Sequence, residues 1–260
     1  FSLSRGLGDV YKRQMYIDAV DLAKFYSTGL GQVTRRLIRR KIRAIWSNTN
    51  GLTILGFGYA TPFLRPFLTE ADNVMALMPA QQGGTYWPVD GLNRVVISED
   101  DELPFQDSSI DRLIVVHSME CTEHLRPMLK EIWRILRGDG RLIIVVPSRS
   151  GVWARTDRTP FGFGQPYSSS QLTRLLRDGM FIPEKIDRAL FIPPSTRKVV
   201  LRSASGIEDL GSRWLKHLGG VLIVEAAKQI YAASPIKKIR SRATRMIPAS
   251  SARLTNLDKY

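Results

Sequence analysis

The chain has 260 residues, of which 43% are hydrophobic, which fits one α/β domain with extensions and excludes a disordered chain. Its single cysteine, Cys121, excludes an intramolecular disulfide and any zinc or iron–sulfur site built from several cysteines. A reducing, cytoplasmic setting is therefore expected. No run of about 18 apolar residues occurs, so the sequence predicts no transmembrane helix, and the first residues lack a signal-peptide pattern.

The net charge of +14 lies at the two ends of the sequence. Residues 1–45 hold ten basic and three acidic side chains, residues 228–260 hold eight and one, and residues 46–227 hold 20 of each. This distribution argues against a protein whose whole body clamps nucleic acid. It leaves room for RNA or another anionic partner at the basic ends of a neutral domain.

The sequence divides into four predicted regions. Residues 1–14 lack periodicity and resemble a translated linker, so they are excluded from the fold prediction. Residues 15–47 predict an N-terminal helical extension, because apolar residues recur at three- and four-residue steps around a glycine break at residues 29–31. Residues 48–228 form the predicted central domain, and residues 229–260, with many basic residues and no core pattern, predict a flexible tail.

The second half of the N-terminal extension carries a run of six basic residues. These are Arg35, Arg36, Arg39, Arg40, Lys41 and Arg43. Three interpretations stay open: a solvated face beside an apolar stripe, a face toward RNA or an anionic substrate, and a helix that lies on a membrane surface.

Short apolar runs alternate with helical patterns through the central domain. The predicted strands cover residues 52–55, 74–78, 94–97, 113–116, 142–146, 186–192 and 221–226, and the predicted helices cover 125–136, 170–177 and 201–218. Near-continuous apolar strands separated by helices are typical of a parallel sheet that is covered on both faces. The fold class is therefore predicted to be α/β.

A glycine turn follows the first predicted strand, with Gly56, Gly58 and Ala60 at alternate positions. Thr61 and Pro62 then predict an N-cap and the first residue of a helix. Glycines in such a turn let the backbone approach a ligand, and the helix N-terminus offers free N–H groups. The same pattern also fits an ordinary tight turn.

Residues 99–147 carry several motifs in a fixed order. They read Glu99-Asp-Asp-Glu-Leu-Pro-Phe105, Asp107-Ser-Ser-Ile-Asp111, His117-Ser-Met-Glu120, a helix, and Gly138-Asp-Gly140 before a strand into Pro147. This string resembles the class I S-adenosylmethionine-dependent methyltransferases, and within them the methyltransferase type 11 group. The resemblance covers residues 52–147 and, more loosely, residues 20–227. It implies a Rossmann-like, seven-stranded, mostly parallel sheet with helices on both faces, and a cofactor across the carboxyl ends of strands one to four.

The resemblance also implies which residues contact S-adenosylmethionine. They are Gly56, Phe57, Gly58, Tyr59, Ala60, Met78, Pro79, Glu99, Asp100, Leu103 and His117. The glycine turn would face the methionine part, and the end of the second strand would lie by the ribose and adenine. Glu99 and Asp100 match the acid–small pair that holds the adenine amino group. His117 would lie near the methyl group as the candidate base or acceptor-orienting residue.

Three positions depart from the family pattern. Ile54 stands where an acid usually precedes the first glycine, Ala60 replaces the third glycine, and Met78 replaces the acid that ends the second strand. A charge-assisted hydrogen bond contributes about 1.5–3 kcal/mol, so losing two such anchors corresponds to a loss of affinity of roughly 100-fold or more. A methyltransferase that aligns donor and a small acceptor therefore competes with a cofactor-free binding protein and with an RNA-associated enzyme.

Other residues with reactive side chains have simpler interpretations. His117, Glu120, Glu123 and His124 could form a metal site, but the family resemblance explains the same string without a metal, with Glu120 bracing a nearby loop. Cys121 is expected to be a small core residue. The aromatic, glycine-rich loop at residues 153–167 predicts either a mobile lid or an exposed loop that its aromatics hold in place.

Overall fold

The computed structural model describes residues 16–215 and 217–230, and the elements below are numbered within them. The helices are α1 (Ala19–Ser27), α2 (Gly29–Ile45), α3 (Thr61–Leu64), α4 (Leu125–Ile135), α5 (Ser169–Asp178), α6 (Lys198–Arg202) and α7 (Ala204–Trp214). The strands are β1 (Thr53–Gly58), β2 (Asn73–Pro79), β3 (Val95–Ser98), β4 (Ile110–Val116), β5 (Leu136–Pro147), β6 (Phe181–Ala189) and β7 (Val221–Lys228).

One sheet contains all seven strands in the order β3-β2-β1-β4-β5-β7-β6. β7 runs antiparallel to both of its neighbours, and the other pairs are parallel. The predicted seven-stranded, mostly parallel α/β sheet is therefore confirmed. Because β1 lies beside both β2 and β4, the strand order reverses there, and a ligand crevice is expected at the carboxyl ends of these strands.

Helices cover both faces of the sheet, as the continuous apolar strands predict. Ile54 of β1 packs in a core cluster with the N-terminal helices, whereas the next residue, Leu55, packs in a second cluster with α4 and α5. Successive side chains of a strand point to opposite faces, so each buried strand contributes to both clusters. The helical extension is thus part of the core on one face.

Several element boundaries differ from the sequence prediction. The helix predicted over residues 125–136 is α4, which ends at Ile135, and the Gly138-Asp-Gly140 segment that follows belongs to β5 rather than to a loop before it. A register shift between β4 and β5 accommodates it, since an irregular ladder tolerates glycine at such a point. Thr61 is the first residue of α3 rather than its N-cap. The extension breaks at Thr28, whose hydroxyl accepts a hydrogen bond from the Gly31 N–H at 3.0 Å.

Within the described residues, no helix is long and apolar enough to cross a membrane. The predicted linker at residues 1–14 and nearly all of the predicted tail at residues 229–260 lie outside the described residues. The bounds of the four regions stay predictions.

Candidate active site

The carboxyl ends of β1, β2 and β4 meet at one edge of the sheet, which is called the crevice edge below. The glycine turn ends β1, Met78 and Pro79 end β2, and His117 follows β4. All of these residues are buried. The structure thus brings together the predicted site residues that end strands, as parallel pairing requires.

Protein atoms fill the space beside both glycines of the turn. Gly58 has φ of +75°, and a Cβ there would lie 2.2 Å from the backbone oxygen of Val116 on β4. A Cβ on Gly56 would lie 2.6 Å from the Cδ1 of Leu64 on α3. Only glycine satisfies both the backbone angle and the close approach at Gly58. The packing of β1 against β4 and α3 therefore already requires these glycines.

The side chains of two predicted contact residues lie on the face of the sheet opposite to the other predicted contacts. Phe57 and Leu103 belong to the core cluster on the α4 side of the sheet, whereas Tyr59, Ala60 and Met78 belong to the opposite cluster. Any contact from Phe57 to a ligand at the crevice edge would come from its backbone.

The acid–small pair after β3 behaves differently at its two positions. Glu99 is exposed, whereas Asp100 is 4% exposed and accepts hydrogen bonds from the Tyr16 hydroxyl at 2.9 Å and from the Thr122 hydroxyl. The Tyr16 hydroxyl also lies 3.5 Å from the Ser118 Oγ. Burial raises the pKa of Tyr16 far above its usual range. The N-terminal segment therefore closes over the crevice edge through one buried phenol.

His117 is held from three sides. Its Nε2 lies 2.8 Å from the Tyr26 hydroxyl, its Nδ1 lies 3.4 Å from the Glu120 Oε1, and its backbone oxygen accepts a hydrogen bond from the Gln82 side chain at 2.8 Å. The residue has φ of +54°, which is uncommon outside glycine. The Phe161 ring lies 4.8 Å from the imidazole, centroid to centroid. This fixed imidazole is 1% exposed.

Buried polar atoms without a hydrogen-bond partner concentrate around His117. Within the described residues they include the Gln82 Oε1, the His117 Nδ1 and both carboxylate oxygens of Glu120. Buried polar atoms are nearly always paired in proteins, and each unpaired one costs about 1–3 kcal/mol. Such a cost is typical of a site where a ligand supplies the missing partners.

The metal-site alternative is not assembled in this arrangement. The Glu123 and His124 side chains are exposed, while His117 and Glu120 are buried. In the part of the chain that the structure describes, no group of three or more His, Cys, Asp and Glu side chains could hold a metal ion. Cys121 is buried, and burial raises the pKa of its thiol.

The loop after β5 is anchored beside the crevice edge by its aromatic residues. Trp153 and Phe161 are each 1% exposed, and the Trp153 indole donates a hydrogen bond to the Ile192 oxygen at 2.7 Å. The Gln165 N–H donates to the Glu120 backbone oxygen at 2.8 Å. The arrangement corresponds to the interpretation of a loop that its aromatics hold in place, and Glu120 braces it as expected.

The basic run of α2 divides into two groups. Arg40, Lys41 and Arg43 form ion pairs with Asp209, Asp187 and Glu70, respectively. Within the described residues, Arg35 and Arg39 have no acidic partner. The three paired residues and the exposed Arg36 fit the solvated-face interpretation, whereas the half-buried Arg35 and Arg39 need a separate explanation.

Sequence reasoning missed Tyr16, Tyr26 and Gln82. The two tyrosines lie 84 and 91 residues from the groups that they contact, and periodicity reports only local neighbours. Gln82 follows β2 closely, where a ligand-facing side chain could have been suspected from its position at the carboxyl end of a strand.

Comparisons with known proteins agree with this architecture. Residues 70–144 match the family model described as a methyltransferase domain. No curated protein is detectably similar to the chain in sequence. Many solved structures share the fold.

Three of these structures, all under 20% identical, show the extent of the likeness. An S-adenosylmethionine-dependent methyltransferase of Thermotoga maritima, described as a possible histamine N-methyltransferase, is 16% identical, with a TM-score of 0.53 over 80% of this chain and 95% of that one. A Haloferax volcanii methyltransferase, solved with the Trm112 methyltransferase activator, is 16% identical, with a TM-score of 0.55 over 81% and 99%. An Aquifex aeolicus S-adenosylmethionine-dependent methyltransferase is 15% identical, with a TM-score of 0.53 over 81% and 98%.

The sheet order, the matched segment and these likenesses lead to one assignment. The solved structures establish the fold, and the match over residues 70–144 adds the family's own sequence pattern from β2 to β5. The chain has the fold of the class I S-adenosylmethionine-dependent methyltransferases, and its residues 70–144 carry the sequence pattern of a methyltransferase domain.

Proposed function

We propose that the chain is an S-adenosylmethionine-dependent methyltransferase that acts on a small acceptor. The observation that carries this proposal is the set of buried, unpaired acceptor atoms at the carboxyl ends of β2 and β4. Both Glu120 carboxylate oxygens and the Gln82 Oε1 lack hydrogen-bond partners in the described residues, although the Glu120 Oε1 lies 3.4 Å from the His117 Nδ1. The side chains of Glu120 and Gln82 are nine-tenths or more buried. Unpaired acceptors suit a ligand that brings positive charge and several hydrogen-bond donors.

S-adenosylmethionine fits this donor requirement, since it carries a sulfonium, an ammonium, ribose hydroxyls and an adenine amino group, and it supplies an electrophilic methyl group. Glu120 is the candidate partner for positive charge. Gln82, four residues after Met78, supplies an acceptor near the position where the family usually has an acid. The backbone of the glycine turn and the carboxylate of Asp100 complete the proposed site. Each of these contacts is a proposal.

His117 is proposed to orient the acceptor or to accept its proton. The Tyr26 hydroxyl occupies the Nε2 side of the ring and Glu120 lies beside Nδ1, so the imidazole has one fixed orientation. A small acceptor is proposed because Tyr26 and Phe161 enclose the ring.

Opening of the N-terminal segment is part of the proposed function. The Tyr16 hydroxyl holds the Asp100 carboxylate that the adenine side of the site would use. Cofactor binding would therefore compete with the Tyr16–Asp100 hydrogen bond, and weakening this bond is expected to strengthen cofactor binding.

A second function, a methyltransferase-like binding protein without catalysis, is favoured by a specific observation. Ile54 and Met78 are both 0% exposed, so the two positions that usually carry acids contribute to the core. In that case Tyr16 would be a permanent part of the crevice edge.

Calorimetric titration of the full chain with S-adenosylmethionine and S-adenosylhomocysteine distinguishes the two functions. The first predicts micromolar binding, at least about tenfold weaker in Glu120→Gln because a charged contact is lost, and tighter in Tyr16→Phe. Glu123→Gln, an exposed glutamate three residues away, is the control and should bind like the wild type. Absence of binding at millimolar cofactor by both the wild type and Tyr16→Phe would reject the methyltransferase proposal.

A further inference from the structure

A cavity of about 360 Å³ lies beside the crevice edge, between α1, α2, α3 and residues 87–90. It is called the arginine cavity below, because Arg35, Arg39 and Arg65 line it. Tyr26 and Tyr59 form a wall that it shares with the crevice edge, with their rings stacked 5.9 Å apart at 16°. Its volume lies in the range of small-molecule sites.

The positive charge of this cavity is not balanced by its own walls. Asp90 is the one acidic side chain among the described lining residues, and it lies 3.5 Å from Arg65 in a pair whose side chains are 71% and 80% exposed. Pairs as exposed as this one contribute little. Among the described residues, Arg35 and Arg39 have no acidic partner, although the neighbouring basic residues of α2 do.

Among the three arginines of the cavity, Arg39 has a buried hydrogen-bond donor without an acceptor in the described residues. One of its terminal nitrogens donates a hydrogen bond to the Pro62 oxygen, while its Nε is buried and lacks any partner in the described residues. Burial lowers the pKa of Arg39, and the positive charges of Arg35 and Arg65 lower it further. A guanidinium nevertheless stays charged in proteins. Three arginines close enough to repel one another are therefore kept around one cavity.

The remaining walls supply flat apolar surface. Tyr26 and Tyr59 are about 95% buried, and Trp87, which also lines the cavity, is half-buried. Guanidinium groups bind carboxylates and phosphates through paired hydrogen bonds, and aromatic walls accept planar groups. The two kinds of wall together define a ligand with an anionic head and a flat body.

We propose that the arginine cavity binds a small organic anion, with a carboxylate or phosphate head on Arg35, Arg39 and Arg65 and a planar group against Tyr26, Tyr59 and Trp87. This inference is independent of the proposed methyltransferase activity. It also accounts for Arg35 and Arg39, the two half-buried α2 arginines that have no acidic partner among the described residues. A ligand in the cavity would touch Tyr26, whose hydroxyl lies 2.8 Å from the His117 Nε2.

Titration of the full chain without cofactor, at constant ionic strength, tests this site. The probes are phenyl phosphate, benzoate, inorganic phosphate and benzyl alcohol, followed by calorimetry. We expect both aromatic anions to bind, inorganic phosphate to bind at least about tenfold more weakly because it lacks the flat body, and benzyl alcohol not to bind. The ratio of phenyl phosphate to benzoate affinity identifies the preferred head. Equal binding of benzyl alcohol and benzoate would overturn the proposal.

Three substitutions distinguish the cavity from general attraction to a basic protein. Arg39→Gln should weaken binding of the preferred aromatic anion at least about tenfold, because a charged hydrogen-bond donor is lost. Arg65→Gln, at an exposed position where folding is not at risk, should weaken it in the same direction. Arg40→Gln is the control on the same helix, since Arg40 pairs with Asp209 outside the cavity. Equal weakening in all three variants, or tighter binding of a uridine oligonucleotide that Arg39→Gln abolishes, would overturn the proposal.

Discussion

The crevice edge and the arginine cavity share the Tyr26–Tyr59 wall, but the crevice edge has unpaired hydrogen-bond acceptors and the cavity has unbalanced positive charge. At the crevice edge, buried acceptors of Gln82 and Glu120 lack donors, and Tyr16 covers the neighbouring Asp100. In the cavity, the buried Nε of Arg39 lacks an acceptor, Arg35 has no acidic partner among the described residues, and the lining is partly exposed. One side of the wall is therefore suited to a cation and the other to an anion.

This contrast bears on how the two proposed ligands would be related. Unpaired polar groups lower stability, and they lie on both sides of one aromatic wall. A cationic donor on one side and an anionic partner on the other would relieve both costs. Tyr26 connects the two regions, because its ring lines the cavity and its hydroxyl contacts His117. Burial keeps this hydroxyl protonated by raising the pKa of Tyr26 well above its usual value.

The largest expected effect concerns the packed glycine turn of the crevice edge. Gly58→Ala should lower the free energy of unfolding by about 2–6 kcal/mol, since a Cβ adds backbone strain of about 1–3 kcal/mol and overpacking of about 1–3 kcal/mol. Gly83→Ala is the matched control: Gly83 has a similar φ of +72°, but no atom lies within 4 Å of the added Cβ. Its loss should stay near the strain cost alone. Urea denaturation measures both, and equal losses would contradict the close packing of β1 against β4.

The next effect concerns the closure of the crevice edge by Tyr16. Asp100→Asn should lower the free energy of unfolding by about 1.5–3 kcal/mol, because the charged acceptor of two hydroxyl groups is lost. Glu99→Gln, at the exposed neighbouring position, is the control and should change stability by less than about 0.5 kcal/mol. Thermal and urea denaturation would show the difference. If Asp100→Asn left the free energy of unfolding unchanged, the Tyr16 contact would not depend on this carboxylate.

The sheet could be predicted from the sequence because its central strands are buried on both faces and read as apolar runs. The family resemblance and parallel strand pairing predicted three features of the crevice edge. These are the turn at Gly56, the end of β2 at Met78 and the position of His117. The role of these residues as cofactor contacts stays a prediction.

The contacts that distinguish the two regions could not be predicted. Tyr16 and Tyr26 reach the crevice edge from an extension whose periodicity reports only its own helices. The basic run of α2 divides according to acids that lie far away in sequence: Asp187 is 146 residues from Lys41, and Asp209 is 169 residues from Arg40. Spacing within α2 carries no information about these partners.

A smaller effect uses Cys121 as a probe of opening. The Ile17 N–H donates to its thiol, and burial raises the pKa of that thiol. A raised pKa leaves less thiolate at neutral pH, so alkylation should be slow and should accelerate about tenfold per pH unit below the pKa. Tyr16→Phe should speed alkylation about fivefold, since one buried hydrogen bond contributes about 1 kcal/mol. An unchanged rate would mean that the Tyr16 hydroxyl does not hold the segment closed.

The smallest effect concerns the repulsion between the arginines of the cavity. Removing a basic residue of α2 should change the free energy of unfolding in opposite directions at positions 35 and 40. Arg35→Gln should raise the free energy of unfolding by about 0.2–0.5 kcal/mol at low salt, because like charges at this spacing destabilise a protein by such amounts. The gain should vanish near 1 M salt, where screening acts within about 3 Å. Arg40→Gln should instead lose about 0.2–1 kcal/mol, since it breaks the exposed ion pair with Asp209. Urea denaturation at two salt concentrations measures both variants. If Arg35→Gln also lost stability at low salt, Arg35 would be stabilised by its surroundings, and the cavity would not need an anion to balance its charge.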